Sequence, residues 1–88
     1  MITVIISPGK IKITGHAGYA EAGKDIVCAA VSGIVYTLLA NAPDVQKVAP
    51  GDVEITCDNQ LIVFAGNGLK AIAGAYPDNV RVITAGGL

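Results

Sequence analysis

The chain has 88 residues, of which 52% are hydrophobic and 15% are charged, and its formal net charge is -1. This composition excludes a disordered or polyelectrolyte chain, and the length predicts one domain that spans residues 1–88. The six lysines and arginines are scattered along the chain, which argues against direct binding of nucleic acid. Two cysteines can form one disulfide bond at most, so we expect a reducing, cytoplasmic location.

A hairpin and a loop are predicted at the amino terminus. Apolar residues alternate weakly over residues 2–6 and strictly over residues 10–14, with Pro8-Gly9 as turn residues between them. The apolar start lacks a basic leader and a small-residue cleavage site, so it is typical of a strand and not of a signal peptide. Residues 15–24 contain three glycines and no helical periodicity, which predicts a loop that can approach a ligand closely or move.

A central helix is predicted to follow Asp25. This aspartate is a favourable N-cap residue, and the helix should end before Pro43. Apolar residues recur between them at the spacing of one helical face: Val27, Val31, Ile34, Val35 and Leu38. Residues 26–42 carry no charge and approach the length of a membrane span, but their alanines and polar residues favour a helix buried within a domain. No membrane partner is expected.

A second hairpin is predicted after a linker over residues 41–51. Residues 53–57 alternate between apolar and polar side chains, Asp58-Asn59 can form a turn, and residues 61–64 are strongly β-prone. These features predict two strands joined at the turn.

The chain should end with a short helix and a last strand. Leu69, Ile72 and Ala73 suggest a helix that stops near Tyr76-Pro77, and residues 80–83 alternate as a strand does. The predicted fold class is therefore α+β, a mixed sheet of about five strands with two helices against one face, in the order β-β-α-β-β-α-β.

The candidate chemistry centres on Cys28, in the first turn of the central helix. Unpaired N–H groups and the macrodipole at a helix start favour negative charge, and the thiolate is the nucleophilic form of cysteine. If the glycine-bearing loop folds over the helix start, His16 can act as base, and backbone N–H groups of residues 27–29 would face the developing oxyanion. The alternative is that Cys28 is a small buried hydrophobe and His16 an ordinary surface histidine.

The neighbouring polar residues allow two roles each. Asp25 can cap the helix or orient His16, and the cap is favoured because its negative charge would oppose thiolate formation unless it is directed toward His16. Ser32, one turn beyond Cys28, can line the pocket or bond back to a helix carbonyl. Cys57 should lie on the inward face of its strand as part of the core. A zinc site of His16, Cys28 and Cys57 would lack a fourth ligand, so no metal or other cofactor is expected.

Two stretches, GHAGYA at residues 15–20 and GKDIVCAAVS at residues 23–32, closely resemble the signature of the ribosomal-processing cysteine protease family, called Prp. Similarity continues weakly and returns at residues 68–73 and 76–78. The resemblance implies a cysteine endopeptidase that removes the N-terminal extension of a large-subunit ribosomal protein precursor. It also implies His16 as base, Cys28 as nucleophile, and Gly15, Asp25 and Ser32 as supporting or substrate-binding residues.

The same resemblance implies two partners, the N-terminal peptide of the ribosomal protein precursor and a second copy of the chain in a homodimer. The predicted second helix is shorter than that of family members, which bears on the dimer interface and the substrate groove. Two other functions stay open: a noncatalytic ribosome-assembly factor of the same fold, and a redox sensor in which Cys28 is reversibly oxidised.

Overall fold

The computed structural model describes residues 1–21, 23–41 and 45–85, without the side chains of residues 45–46. The predicted fold class and the order β-β-α-β-β-α-β are confirmed. The elements are β1 (Ile2–Ser7), β2 (Lys10–Gly15), α1 (Ile26–Asn41), β3 (Val45–Ala49), β4 (Asp52–Thr56), α2 (Asn59–Ala75) and β5 (Val80–Thr84).

The strands form a mixed sheet in the order β3-β4-β2-β1-β5. The β1–β2, β2–β4 and β3–β4 pairs are antiparallel, whereas β5 pairs with β1 in parallel. The predicted amino-terminal hairpin is confirmed, with Ser7 opposite Lys10 across the Pro8-Gly9 turn. Gly9 has a φ of 71°, a conformation that glycine adopts without steric cost.

One face of the sheet forms the core with both helices. Alternate strand residues point into this face, because successive side chains of a strand point to opposite sides. The opposite face is open and carries an ion pair of 2.8 Å between Lys10 and Glu54. Both helices therefore lie on one face, as predicted. The buried residues include Ile2, Val4, Ile6, Ile11 and Ile13 from the strands and Val27, Val31, Ile62 and Leu69 from the helices.

Helix α1 begins directly after Asp25, as predicted, and ends at Asn41; Pro43 lies outside the described residues. It has 16 residues and buries Val27, Val31, Val35 and Leu38. Within the described parts of the chain, neither this helix nor α2 combines the length and apolar character that a membrane crossing requires.

The second predicted hairpin is wrong, because residues 61–64 belong to helix α2. The residues of α2 that are buried, Ile62, Ala65, Gly66 and Leu69, follow helical spacing, and this packing overrides the β-propensity of residues 61–64. Asp58 is a helix cap and not a turn residue, since its side chain accepts a hydrogen bond of 2.8 Å from the Gln60 N–H.

Two glycines that resemble a turn lie inside α2 and allow close packing. A Cβ at Gly66 would lie 2.7 Å from Ile6 Cδ1, and one at Gly68 would lie 3.0 Å from Ile34 Cδ1. The glycines let α2 approach β1 and α1 closely. The helix has 17 residues, so the predicted short second helix is wrong, and the departure from the family that was inferred from it loses its support.

The true second hairpin joins β3 to β4. Ala49 lies opposite Asp52 across a Pro50-Gly51 turn, and Gly51 has the same φ of 71° as Gly9. The linker predicted over residues 41–51 is therefore wrong for residues 45–49; residues 42–44 lie outside the described ranges. This turn stands at the end of the sheet where β2 ends and α1 begins.

Candidate active site

A cleft of about 460 Å³ opens at this end of the sheet, between the start of α1, the end of β2 and the β3–β4 turn. Its lining contains four of the five predicted site residues: Gly15, His16, Cys28 and Ser32. We refer to it as the His16 cleft. The fold thus brings together residues that are as much as 17 positions apart in the sequence motif, from Gly15 to Ser32.

Cys28 lies in the first turn of α1 with its side chain half-buried. Its Sγ accepts a hydrogen bond of 3.4 Å from the backbone N–H of Ala17, the residue next to His16. An N–H donor stabilises negative charge on sulfur, as the positive end of the helix dipole does. The loop and the helix start therefore converge on the sulfur atom.

Asp25 binds four backbone N–H groups. Its Oδ1 accepts from Val27 at 3.0 Å and Cys28 at 2.9 Å, and its Oδ2 accepts from Tyr19 at 3.0 Å and Ala20 at 3.3 Å. The pKa of this carboxyl lies below its ordinary value, chiefly because of the Cys28 N–H; burial opposes the shift and the other three donors add to it. The predicted cap is observed, and the same carboxylate holds the loop. Orientation of His16 by Asp25 stays a prediction.

The predicted oxyanion hole at the helix start is wrong for this arrangement. The N–H groups of Val27 and Cys28 donate to the Asp25 carboxylate, and that of Ala29 donates to the Asp25 carbonyl at 3.1 Å. The cap that makes Asp25 favourable therefore occupies the donors that a substrate oxyanion would need.

His16 follows β2 and rests against the β3–β4 turn. A Cβ at Gly51 would lie 3.0 Å from His16 Nε2 and 3.2 Å from Cε1, so the missing side chain leaves room for the imidazole. The Gly15 N–H donates to the Gly51 carbonyl at 3.0 Å, which fixes the turn beside the end of β2. Sequence reasoning missed Gly51, although Pro50-Gly51 before an alternating segment is the same turn signal as Pro8-Gly9.

Gly15 has a φ of 90°, and a Cβ there would collide with the carbonyl oxygen of Met1. Any other residue would face both an unfavourable backbone conformation and this clash. Gly15 therefore turns the chain out of β2 and directs His16 towards the cleft.

The remaining predicted residues fall in different places. Ser32 is half-buried and lines the His16 cleft, but its role stays a prediction. Cys57 lies just beyond β4, packs partly buried against the core and donates from Sγ to the Asp58 carbonyl at 3.7 Å. In the described ranges, no three His, Cys, Asp or Glu side chains are grouped to bind a metal ion.

The loop is also anchored by the turn between α2 and β5, a contact that the sequence did not indicate. Tyr19 packs edge-on against Tyr76, with ring centroids 5.5 Å apart. The Asn79 side chain donates to the Ala17 carbonyl at 3.0 Å. An asparagine after Tyr-Pro-Asp is an ordinary turn residue in sequence, so only the fold reveals this contact.

A cysteine at a helix start that shares a cleft with a histidine is the arrangement of thiol-dependent hydrolases. The family model described as "Cysteine protease Prp" matches residues 1–81. A curated relative from Mycoplasma genitalium, named ribosomal processing cysteine protease Prp, is 38% identical over 93 residues, covering 93% of this chain and 94% of the relative. The chain belongs to the Prp family of cysteine proteases, which confirms both the resemblance and the enzyme class.

Solved structures agree with the fold. A ribosomal processing protease Prp from S. aureus, in complex with a covalently linked product peptide, has a TM-score of 0.88 and 22% identity, covering 97% of this chain and 100% of that one. SMU.848 from Streptococcus mutans has a TM-score of 0.72 and 26% identity, with coverage of 97% and 92%. In sequence, this chain also matches the ribosomal processing cysteine protease Prp from Mycoplasma pneumoniae, with 51% identity over 39 residues, which cover 44% of this chain and 39% of the relative.

Proposed function

We propose that this chain is an endopeptidase that removes the N-terminal extension from a large-subunit ribosomal protein precursor, with Cys28 as nucleophile and His16 as base. The observation that carries the proposal is the hydrogen bond of 3.4 Å from the Ala17 N–H to Cys28 Sγ, in a cleft that His16 also lines. The names of the relatives, which specify ribosomal processing, support the class of substrate.

The chemistry is acyl transfer to sulfur. Cys28 Sγ attacks the scissile carbonyl carbon while His16 takes up the thiol proton. The C–N bond breaks, the imidazole returns the proton to the leaving amine, and the acyl group stays on sulfur as a thioester. Water, deprotonated by His16, then hydrolyses the thioester and releases the acid product with the free thiol. No metal or other cofactor takes part in this proposal.

We further propose that the loop of residues 15–24 opens to admit the substrate and closes over it. Gly18 and Gly23 support this, since glycine has no Cβ to restrict the backbone and both residues adopt positive φ values, 67° and 83°, that other residues rarely adopt. Gly15, Asp25 and Ser32 act as supporting or substrate-binding residues around the dyad.

The proposed setting is cytoplasmic, with residues 1–88 forming one protease domain that acts as a homodimer, without nucleic acid or membrane as a direct partner. Exposed apolar side chains on the helices support self-association, because Phe64 is 75% exposed and Tyr36 is 68% exposed.

The test is mass spectrometry of a ribosomal protein precursor with its N-terminal extension, incubated with the wild type, Cys28→Ala or His16→Ala. The wild type should shorten the precursor, and each variant should lower the rate by about 10³-fold or more while keeping its circular dichroism spectrum. A precursor of unchanged mass with bound wild type would indicate a noncatalytic assembly factor. Full processing by either variant would exclude the dyad.

A further inference from the structure

Asn79 reaches the candidate site from outside its cleft. It lies in the turn between α2 and β5 and does not line the His16 cleft. Its Nδ2 donates a part-buried hydrogen bond of 3.0 Å to the carbonyl of Ala17, 62 positions earlier in the chain. Ala17 itself is buried, with 2% of its surface exposed.

Ala17 is held at both of its peptide groups. Its N–H donates to Cys28 Sγ at 3.4 Å, and its carbonyl accepts from Asn79. The residue before it is His16. The position of this segment therefore determines where the N–H donor to the sulfur lies and where the His16 side chain leaves the backbone. A carbonyl buried at this depth needs a donor, and the Asn79 side-chain amide supplies one.

We propose that Asn79 is a positioning residue, which holds Ala17 so that its N–H meets the Cys28 sulfur and His16 stays beside the cleft. The inference rests on the proposed function and adds to it a residue that lies far from the sequence motif. Small displacements of reacting groups reduce rates strongly, so a residue of this kind affects turnover more than substrate binding.

The backbone of Asn79 is fixed independently of its side chain. Its carbonyl accepts from the Ile2 N–H at 2.8 Å, and its N–H donates to the Tyr76 carbonyl at 3.0 Å. The same turn carries Tyr76, whose ring packs on Tyr19 of the loop. These contacts hold the turn in place without the Asn79 side chain, so the side-chain amide can be removed without removing the contacts that form the turn.

The experiment compares Asn79→Ala and the isosteric Asn79→Asp, whose carboxylate cannot donate to a carbonyl, with Asn59→Ala as matched control. Asn59 also joins distant segments, since its Oδ1 accepts from the Gly9 N–H at 2.9 Å, but it does so at the opposite end of the sheet. The readouts are kcat and KM on the precursor, and the alkylation of Cys28 by iodoacetamide, followed by peptide mass. We define the alkylation ratio as the rate at neutral pH divided by the rate at the alkaline plateau, where the thiol is fully ionised. Access to the sulfur affects both rates equally, so the ratio reports thiolate formation alone.

Both Asn79 variants should lower kcat about tenfold with little change in KM, and should reduce the alkylation ratio severalfold, whereas Asn59→Ala should leave all three unchanged. Wild-type kcat and alkylation ratio in a folded Asn79→Asp protein would overturn the inference. If Asn79→Ala does not fold, the isosteric variant carries the test. If the wild type cleaves no precursor, the proposed function fails, and the alkylation ratio alone still decides whether Asn79 positions Ala17.

Discussion

Each end of the sheet carries a Pro-Gly hairpin turn, a helix that starts at an aspartate cap, and a cysteine within three residues of that cap. One end, which we term the His16 end, has the Pro50-Gly51 turn, Asp25 and Cys28. The other, the Cys57 end, has the Pro8-Gly9 turn, Asp58 and Cys57. The same kinds of part lie beside a cleft lined by His16 at the first end, whereas the second end has no histidine, so the parts themselves do not define a site.

The position of each cysteine relative to its cap makes the difference. Cys28 follows Asp25 by three residues and lies inside the first turn, where its sulfur accepts an N–H. Cys57 precedes Asp58, and its sulfur donates to a backbone carbonyl at 3.7 Å. A donor stabilises an anionic sulfur, whereas a carbonyl acceptor favours the protonated thiol. The hydrogen bond from the Ala17 N–H therefore gives Cys28 an arrangement that favours a nucleophilic sulfur.

The two turns differ in what lies beside the glycine. Gly9 and Gly51 share a φ of 71°, and the carbonyl of each accepts a backbone N–H, from Cys57 at 2.9 Å and from Gly15 at 3.0 Å. A Cβ at Gly9 would meet the Cys57 carbonyl at 3.3 Å, but one at Gly51 would meet the His16 imidazole. The same turn is structural at one end and supports a candidate catalytic group at the other.

The largest difference between the two ends should come from Gly51→Ala, with Gly9→Ala as its control. Both substitutions place a Cβ at the same positive φ, so each should destabilise the fold by about 1–2 kcal/mol. Gly51→Ala should also displace the imidazole and lower kcat/KM by about 10²-fold, a loss that Gly9→Ala should not share. Peptide cleavage rates and thermal melts of the two proteins check this. Equal activity in both variants would show that His16 does not depend on the β3–β4 turn.

A smaller difference should separate the two caps. The Asp25 carboxylate accepts four N–H groups from the helix and the loop, whereas the Asp58 side chain accepts one, from Gln60. Asp25→Ala should therefore lower Tm by more than Asp58→Ala, and should also lower kcat about tenfold because the loop loses its two hydrogen bonds to Asp25. Asp58→Ala should cost about 1 kcal/mol of stability and no activity. An Asp25→Ala protein with wild-type kcat would separate the loop from catalysis.

The sequence predicted β1, β2 and the start of α1 well at the level of local structure. The alternation before Pro8-Gly9, the cap at Asp25 and the helical spacing after it are short-range signals, and all are observed. They place His16 and Cys28 near one another only once β2 and α1 share a sheet end. The family resemblance supplied the expectation that they do.

The errors arose where packing between distant segments decides local structure. Residues 61–64 are β-prone, yet the buried positions that continue to Leu69 make them helical. Gly66 resembles a turn residue, but it is needed because Ile6 of β1 lies against the helix. Asn79 has no signal at all, since its partner Ala17 is 62 positions away. Contacts of this kind depend on the sheet order, which the hydrophobic pattern does not specify.

The smallest expected effect is a change with pH in the stabilisation that Asp25 gives to the fold. The pKa of Asp25 is lowered in the folded protein, so its ionised form stabilises the fold at pH values above its ordinary pKa of 3.8. This contribution is present at neutral pH, declines as the pH falls below about 5 and is lost once the pH passes below the folded-state pKa. The Tm difference between the wild type and Asp25→Ala should therefore narrow in acid.

Thermal melts of the wild type and of Asp25→Ala, from neutral pH down to acid pH, measure how the Tm difference between them decreases. Glu54 and Asp52 also have lowered pKa values, because of Lys10 and Lys47 respectively, but both proteins contain these pairs and their effects cancel in the difference. Asp58→Ala, compared with the wild type in the same way, tests whether the acid effect is greater at the cap with four donors. A Tm difference for Asp25→Ala that is constant down to the lowest pH would mean that the four N–H bonds do not favour the ionised carboxylate over the protonated one, and the contrast between the two caps would then not depend on charge.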